Sequence, residues 1–342
     1  MKSQMKRKST KKSPKRSQKR SQKKSQKKSP KKSPKKSPKK SPKKSPKKSP
    51  KKSPKKSSKM EKTFNSKLPS DIDEKIRGIV KKDNLDDHLD VFEKILFSII
   101  ALNPTIKIDE LRVEYNENRT IRNFYLSNFE DRLQFLPPNF KNITITNDLD
   151  LSNNEITELP TDFNLIKIGG NLDLSHNKLE YLPTDFNLIK IGGNLDLSHN
   201  ELSYLPKNFG KIKVGGDLIL SGNELSDLPE SFKKNTFGGD LDLSKNYIFT
   251  LPDNFGEITV VGNLNLSNND LRYLPKNFEK IKVGRNLNLS NNDLIYLPEN
   301  FGEIKVGGDL YLSNNDDLIN LPKCLNNVSG EFIKASCQNN II

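Results

Sequence analysis

The stretch that decides the fold is Leu172-Asp-Leu174-Ser-His-Asn177-Lys-Leu179-Glu-Tyr-Leu182-Pro183, which recurs 23 residues later as Leu195-Asp-Leu197-Ser-His-Asn200-Glu-Leu202-Ser-Tyr-Leu205-Pro206. The same frame runs backward to Leu149 and forward to Leu310. A unit this short cannot bury its own apolar residues, so successive copies must stack and share one core. The period therefore predicts a solenoid in which each copy forms one coil.

Each repeat position has a physical role. In Leu-x-Leu the two leucines point inward and the middle residue points outward, because side chains alternate along a strand. The Asn177 amide has both a donor and an acceptor, so we expect it to satisfy backbone groups of its own and the adjacent coil. Its equivalents are Asn154, Asn200, Asn223, Asn246, Asn269, Asn292 and Asn315. A phenylalanine column should fill the wide end of each coil: Phe140, Phe163, Phe186, Phe209, Phe232, Phe255, Phe278 and Phe301. Asn235 replaces an otherwise uniform isoleucine, which predicts a local weak point.

The pattern L-x-L-x-x-N-x-L, with nine copies of [LI]-x-x-L-P between Leu133 and Pro322, resembles leucine-rich repeat proteins. The fold class expected is α/β: a leucine-rich repeat solenoid with a parallel β-sheet on its concave face, about nine repeats over 123–322, and a C-terminal cap over 323–342. The Asn/Ile/Lys-rich copies, such as Phe-Gly-Glu-Ile-Lys-Val-Gly-Gly-Asp at 301–309, resemble those of giant DNA viruses of amoebae, of the mimivirus type. That second resemblance implies a setting but no mechanism.

Charge is divided sharply along the chain. Of 59 Lys and Arg residues, 29 lie in residues 1–60, where there is no acidic residue. The remaining 30 basic residues face 42 acidic ones, so the rest of the chain has a net charge of −12. A segment whose only large apolar side chains are three methionines cannot offset a backbone entropy cost of roughly 1–2 kcal/mol per residue. We therefore expect 1–60 to be a disordered polycation.

The tail is built from Ser-Pro-Lys-Lys units, which resemble the repeats of linker-histone tails. That resemblance implies DNA binding and phosphorylation by proline-directed kinases, and counterion release independently favours binding of a polyanion. A solubilising tail and a nuclear-import signal remain alternatives. The possible nucleic-acid contacts are Lys31, Lys32, Lys35, Lys36, Lys39, Lys40, Lys43, Lys44, Lys47, Lys48, Lys51 and Lys52. The possible phosphorylation sites are Ser13, Ser29, Ser33, Ser37, Ser41, Ser45, Ser49 and Ser53.

Residues 61–122 have the composition of a helical N-terminal cap or adaptor. One helix should begin after Ser70, and a second should run from Asn84 to Leu102, where Asn103-Pro104 stops it. One or two strands should follow between Ile106 and Tyr115. A solenoid needs its first coil covered, which this segment can do.

Outward strand positions form acidic and amide-rich columns on the concave face. The expected partner contacts are Asp150, Asp173, Asp196, Asp217, Asp240, Asp242 and Tyr311. Because aromatic anchors are scarce there, a weak or basic protein partner fits best. The alternative is that duplication simply copied polar surface residues. Asp173 is expected to be exposed and to tolerate alanine within about ±0.5 kcal/mol.

The residues indicate no enzyme, cofactor or metal site. His176 and His199 should be neighbours flanked by Asp173 and Asp196, but an open surface lacks the second shell that metal ligands need. We expect a non-enzymatic interaction scaffold whose repeats bind an unidentified protein and whose tail binds nucleic acid or another polyanion. The alternative is a chromatin-like packaging protein in which the tail is the working part and the repeats are passive. We expect a monomer that binds no membrane and is intracellular rather than secreted, in host cytoplasm, nucleus or virion.

Overall fold

The computed structural model describes residues 88–118, 120–319 and 332–333. Within these residues the chain forms the predicted leucine-rich repeat solenoid, with one coil for every 23 residues. The basic tail, the helix predicted after Ser70, and the two cysteines of the predicted C-terminal cap lie outside the described residues.

A helix covers the first coil. Helix α1 (His88–Leu102) ends where Asn103-Pro104 predicts, and its buried face includes Phe92, Ile95 and Ile99. The Phe92 ring packs edge-on against Phe124, with 5.3 Å between the ring centroids. Asn103 ties the helix end to the repeats, because its Oδ1 accepts backbone hydrogen bonds from Gln134 and Phe135.

A short hairpin joins α1 to the repeats. A 3-10 turn at Ile108–Glu110 precedes strand β1 (Arg112–Tyr115), which pairs antiparallel with β2 (Ile121–Tyr125). Strand β2 in turn pairs in parallel with the first repeat strand. The boundary expected between 61–122 and 123–322 therefore falls inside β2, so the adaptor and the repeats share one strand.

The main sheet has eleven strands, and every pairing after β1–β2 is parallel. Each repeat strand has two residues, of which the leucine is buried and its neighbour is half-buried, so the predicted alternation is confirmed. After β1 and β2 the order is β4 (Leu149–Asp150), β6 (Leu172–Asp173), β8 (Leu195–Asp196), β10 (Leu218–Ile219), β12 (Leu241–Asp242), β14 (Leu264–Asn265), β16 (Leu287–Asn288), β18 (Leu310–Tyr311) and β19 (Phe332–Ile333).

A second strand in each coil precedes the main strand by three residues. These strands form two separate four-stranded sheets. The first contains β3 (Thr144–Ile145), β5 (Lys167–Ile168), β7 (Lys190–Ile191) and β9 (Lys213–Val214). The second contains β11 (Thr236–Phe237), β13 (Thr259–Val260), β15 (Lys282–Val283) and β17 (Lys305–Val306). Each coil also has a 3-10 turn: Pro138–Asn142, Phe163–Leu165, Phe186–Leu188, Phe209–Lys211, Glu230–Phe232, Phe255–Glu257, Phe278–Lys280 and Phe301–Glu303.

The phenylalanine column is the centre of the core. All eight predicted members are fully buried, and the rings of Phe140 and Phe163 stack with 6.1 Å between centroids. Offset stacking adds to the area that these rings bury.

The predicted weak point at Asn235 is where the second-strand sheet is interrupted, between β9 and β11. The Asn235 amide donates to the Gly210 carbonyl at 2.6 Å. Phe237, where the flanking coils have Val214 and Val260, fills space near Phe232, with 5.9 Å between the ring centroids. The coil therefore keeps its core but loses its strand pairing to the coil before it.

Candidate partner-binding faces of the solenoid

The asparagine column is structural, as predicted. Asn177 is 6% exposed, and its Nδ2 donates to the carbonyls of Leu151 in the preceding coil and Leu174 in its own coil, at 2.9 and 3.1 Å. Its Oδ1 accepts from the Ile156 backbone N–H at 3.1 Å. The same three types of contact recur from Asn154 to Asn315. These buried amides therefore hydrogen-bond adjacent coils to one another and are not accessible to a binding partner.

A second column of polar side chains also hydrogen-bonds each coil to the next. The Oδ1 of Asp217 accepts the backbone N–H of Asp240 at 2.7 Å, and Asp240 does the same for Asn263. Both aspartates are half-buried. Sequence analysis assigns them to partner binding only and misses this role, although alternation of Asp and Asn at one position was a signal that a shared Oδ1 acceptor is required. The column comprises Asp148, Asn171, Asn194, Asp217, Asp240, Asn263 and Asn286.

The remaining residues predicted to contact a partner occupy equivalent positions on successive strands of the main sheet. Asp150, Asp173 and Asp196 are paired in register, and Asp242 follows after Ile219. Each of the four carboxylates accepts the backbone N–H of the serine two residues later at 2.8–2.9 Å. Tyr311 occupies the same position on β18 and donates its hydroxyl to Asp309. The structure thus brings all seven residues onto one face.

Asp173 is half-buried rather than exposed, which corrects the expectation for this residue. Burial raises its pKa, and the charges of Asp196 and Asp150 raise it further, whereas hydrogen bonds from Ser175 lower it. Alanine at this position would remove the acceptor of the Ser175 N–H, so neutrality to that substitution is no longer expected.

The face of the main sheet that carries these aspartates, here called the acidic face, extends onto the hairpin formed by β1 and β2. Tyr125 of β2 is in register with Asp150, and its pKa is raised by burial and by Glu114, Asp148 and Asp150. The Ser127 hydroxyl donates to Asp150 Oδ2 at 2.6 Å. Sequence analysis assigns Tyr125 to the repeats but does not place it on this face, because the register of β2 could not be read from an irregular copy.

The histidine pair is confirmed as adjacent but not as a metal site. The rings of His176 and His199 stack with 4.4 Å between centroids, and both residues have positive φ, near 53°. No group of three or more His, Cys, Asp or Glu side chains suited to a metal ion occurs among the described residues. In the same part of the chain, no helix has the length and apolar character needed to span a membrane.

Two features of the surface were not anticipated. Lysines stack in register on the second-strand sheets, at Lys167, Lys190 and Lys213 and again at Lys282 and Lys305. In addition, aromatic side chains that follow the asparagine turn are strongly exposed in the later coils, among them Tyr247 and Tyr296. The signal for both was present in the repeat alignment, but the columns concerned lie off the main sheet.

Comparison with known proteins gives similarity of fold only. No protein-family model matches the chain, and no curated protein matches it. Among solved structures, YopM from Yersinia enterocolitica is 21% identical with a TM-score of 0.39, over 63% of this chain and 44% of YopM. The Toll–Spatzle complex of Drosophila gives 21% identity and a TM-score of 0.39, over 55% of this chain and 29% of that one. A leucine-rich repeat protein of Leptospira interrogans is 23% identical with a TM-score of 0.24, over 58% and 76% of the respective chains. Thus the match spans less than half of the Yersinia enterocolitica chain and less than a third of the Drosophila chain.

Proposed function

We propose that this protein is a non-enzymatic interaction scaffold in which the solenoid binds a basic protein segment and the tail binds nucleic acid or another polyanion. One observation supports the proposal that the solenoid binds a basic protein segment. Six aspartates lie on one face of the main sheet, and none of them takes part in a salt bridge among the described residues: Asp150, Asp173, Asp196, Asp217, Asp240 and Asp242. Complementary charge on a partner would stabilise such a face and steer the encounter.

The charge of the tail supports the other half. A segment with 29 basic and no acidic residues gains affinity for a polyanion by releasing its condensed counterions. Contacts from lysine to phosphate carry no sequence information, so binding is nonspecific. The twelve lysines from Lys31 to Lys52 are the proposed contacts, and the Ser-Pro serines are the proposed phosphorylation sites.

The setting belongs to the proposal as well. An intracellular protein fits a chain with two cysteines in 342 residues. The resemblances to repeat proteins of giant DNA viruses and to linker-histone tails stay predictions. The second candidate function is a packaging protein with a passive solenoid, which the density of tail charge favours.

Affinity capture with two baits tests the proposal: the full chain and residues 61–342. The full chain should retain nucleic acid together with proteins, while residues 61–342 should retain the same proteins without nucleic acid. Replacing Asp196 and Asp242 by Asn should release those proteins. A packaging protein would instead show nucleic acid with the full chain and no protein specific to residues 61–342.

A further inference from the structure

Exposed aromatic side chains cluster on one flank of the solenoid, in the segment that follows the asparagine turn. Tyr247, Phe249 and Tyr296 are 59%, 50% and 54% exposed. Tyr273 is also exposed, and Ile295 is half-buried beside Tyr296. We call these five residues the aromatic flank.

Tyrosine also occurs at the position of Tyr273 and Tyr296 in earlier coils, as Tyr181 and Tyr204, whereas the positions of Tyr247 and Phe249 are aromatic in one coil only. At the positions of Tyr247 and Phe249, the two preceding coils have polar residues, namely Glu201 with Ser203 and Glu224 with Ser226. Repeat geometry alone therefore does not require aromatic residues here.

In the earlier coils the same flank uses its polar groups internally. Lys178 pairs with Glu155 at 3.1 Å, and the Tyr181 hydroxyl donates to Glu158 at 2.7 Å, which raises the pKa of Tyr181 to about 12.

The aromatic flank is held in a fixed geometry by the backbone. Tyr273 and Tyr296 form a parallel β-bridge, and their ring centroids are 4.9 Å apart. The Ile295 N–H donates to the Arg272 carbonyl at 3.2 Å. Rigid, exposed tyrosine and phenylalanine side chains are the residues that anchor protein interfaces, since they bury a large area at a small entropy cost.

At the repeat positions of the aromatic flank, the charged residues are mostly negative. Glu224 and Asp227 precede it, Asp270 and Asp293 continue the column of Tyr247, and Arg272 is the one basic residue in these three columns over the same coils. A partner that covers the aromatic flank must therefore bring apolar side chains together with positive charge.

We infer that the aromatic flank is the docking surface for a basic protein segment that carries apolar side chains. This rests on the proposed function of the solenoid and specifies where its partner is anchored. The aromatic flank supplies apolar contact, and the neighbouring carboxylates supply counter-charge. The surface selects against purely polar polycations and against acidic apolar segments.

The test uses the full chain and three short fluorescent peptides of equal length: alternating Lys-Leu, alternating Lys-Ser and alternating Ser-Leu, which carries no charge that the basic tail would bind. Fluorescence anisotropy should show that the Lys-Leu peptide binds at least roughly tenfold more tightly than either of the others. Two variants target the aromatic flank. Tyr247→Glu with Phe249→Ser installs the residues of the preceding coil, and Tyr296→Ala removes one anchor. Each should weaken Lys-Leu binding roughly tenfold or more.

Tyr204→Ala is the matched control, because Tyr204 is an exposed tyrosine at the same repeat position in an earlier coil. It should leave peptide affinity unchanged. Equal loss with Tyr204→Ala and Tyr296→Ala would overturn the inference, as would light scattering showing that the aromatic flank mediates self-association. If only Asp196→Asn with Asp242→Asn weakened the Lys-Leu peptide, the inference would fail while the proposed function stood. If none of the peptides bound, both would fail.

Discussion

The Oδ1 of Asn194 accepts a hydrogen bond of 2.8 Å from the backbone N–H of Asp217 in the next coil. Because Asp217 repeats the contact for Asp240, this column joins successive coils along an edge that is half-buried. A carboxylate and an amide are interchangeable in this role, since only one acceptor oxygen is used. Residues that look like surface decoration in the sequence therefore stabilise the stack of coils.

Replacing Asn194 tests that column. Asn194→Ala should destabilise the protein by about 0.5–1.5 kcal/mol, since the N–H of Asp217 loses its acceptor. Asn194→Asp retains the acceptor and should cost less. Urea unfolding of the two variants measures the difference. Equal stability of Asn194→Ala and the native protein would show that the contact contributes nothing.

The inner asparagine column should be more sensitive. Asn177→Leu leaves the Ile156 N–H without its acceptor. It also removes one of the two amide donors to the Leu151 and Leu174 carbonyls, which Asn154 and Asn200 still bond. A buried N–H left unpaired costs about 1–3 kcal/mol, so the loss should exceed that of Asn194→Ala. Thermal melts of both variants provide the comparison. A smaller loss for Asn177→Leu would mean that the buried amide is dispensable.

Asp173 gives a prediction about pH. Its folded-state pKa is raised, mainly by burial, so the folded protein holds this proton more tightly than the unfolded chain does. The ionised side chain therefore lowers stability, and this cost appears as the pH rises from the ordinary value of 3.8 through the folded-state pKa.

Asp173→Asn should be more stable than the native protein at pH 7, and the gain should vanish below the ordinary pKa. The amide can still accept the Ser175 N–H, as Asn288 accepts that of Ser290 at 3.0 Å. Urea unfolding as a function of pH measures the difference between variant and native protein. A gain that persists unchanged in acid would contradict an electrostatic origin.

The interruption at Asn235 should be repairable. Asn235→Ile with Phe237→Val restores the residues that the flanking coils have, such as Ile258 with Val260. We expect pairing of β9 with β11 and a gain of about 0.5–2 kcal/mol. Asn235→Ile alone should gain less, because Phe237 already fills the space. Hydrogen exchange at Gly238, read with the unfolding free energy, would detect the new pairing; unchanged protection in the double variant would refute it.

The fold was predictable because the same pattern of apolar and polar residues recurs in every repeat. The buried positions of the phenylalanine and asparagine columns were predicted correctly, because each residue recurs once in every coil and fits only the shared interior. The 3-10 turns and two-residue second strands were not predicted, because such short elements have weak local signals and are imposed by stacking. The hydrogen bonds of Asp173 and Asp217 to backbone N–H groups were not predicted, for a related reason. A carboxylate that accepts a backbone N–H has the same sequence pattern as one that is only solvated.

The aromatic flank was not predicted, because strand alternation fixes side-chain direction on the main sheet and not in the segment that follows it. Tyr273 and Tyr296 stand next to the leucine of each L-P pair, a position that looks like ordinary loop sequence. Exposure is what distinguishes them, and exposure depends on how coils are stacked. The candidate contacts on the main sheet were found because strand alternation alone fixes their direction.

Phosphorylation should weaken binding of the tail to nucleic acid. Each of the eight Ser-Pro sites gains about −1.5 to −2 charge, so full modification adds roughly −12 to −16 against the 29 positive charges. DNA affinity should fall sharply and its salt dependence should flatten. Gel shifts with kinase-treated and untreated full chain would show this, and equal affinity of both forms would argue against a switch.

The salt dependence of duplex DNA binding tests the account of the tail most directly. Each phosphate contact contributes about −0.9 to the slope of log K against log salt. The full chain should give a steep slope with little sequence preference. Replacing the twelve lysines from Lys31 to Lys52 by glutamine should make that slope markedly shallower, and deleting 1–60 should abolish binding. An unchanged affinity and slope after the deletion would contradict the proposal that the tail binds nucleic acid while the solenoid binds protein.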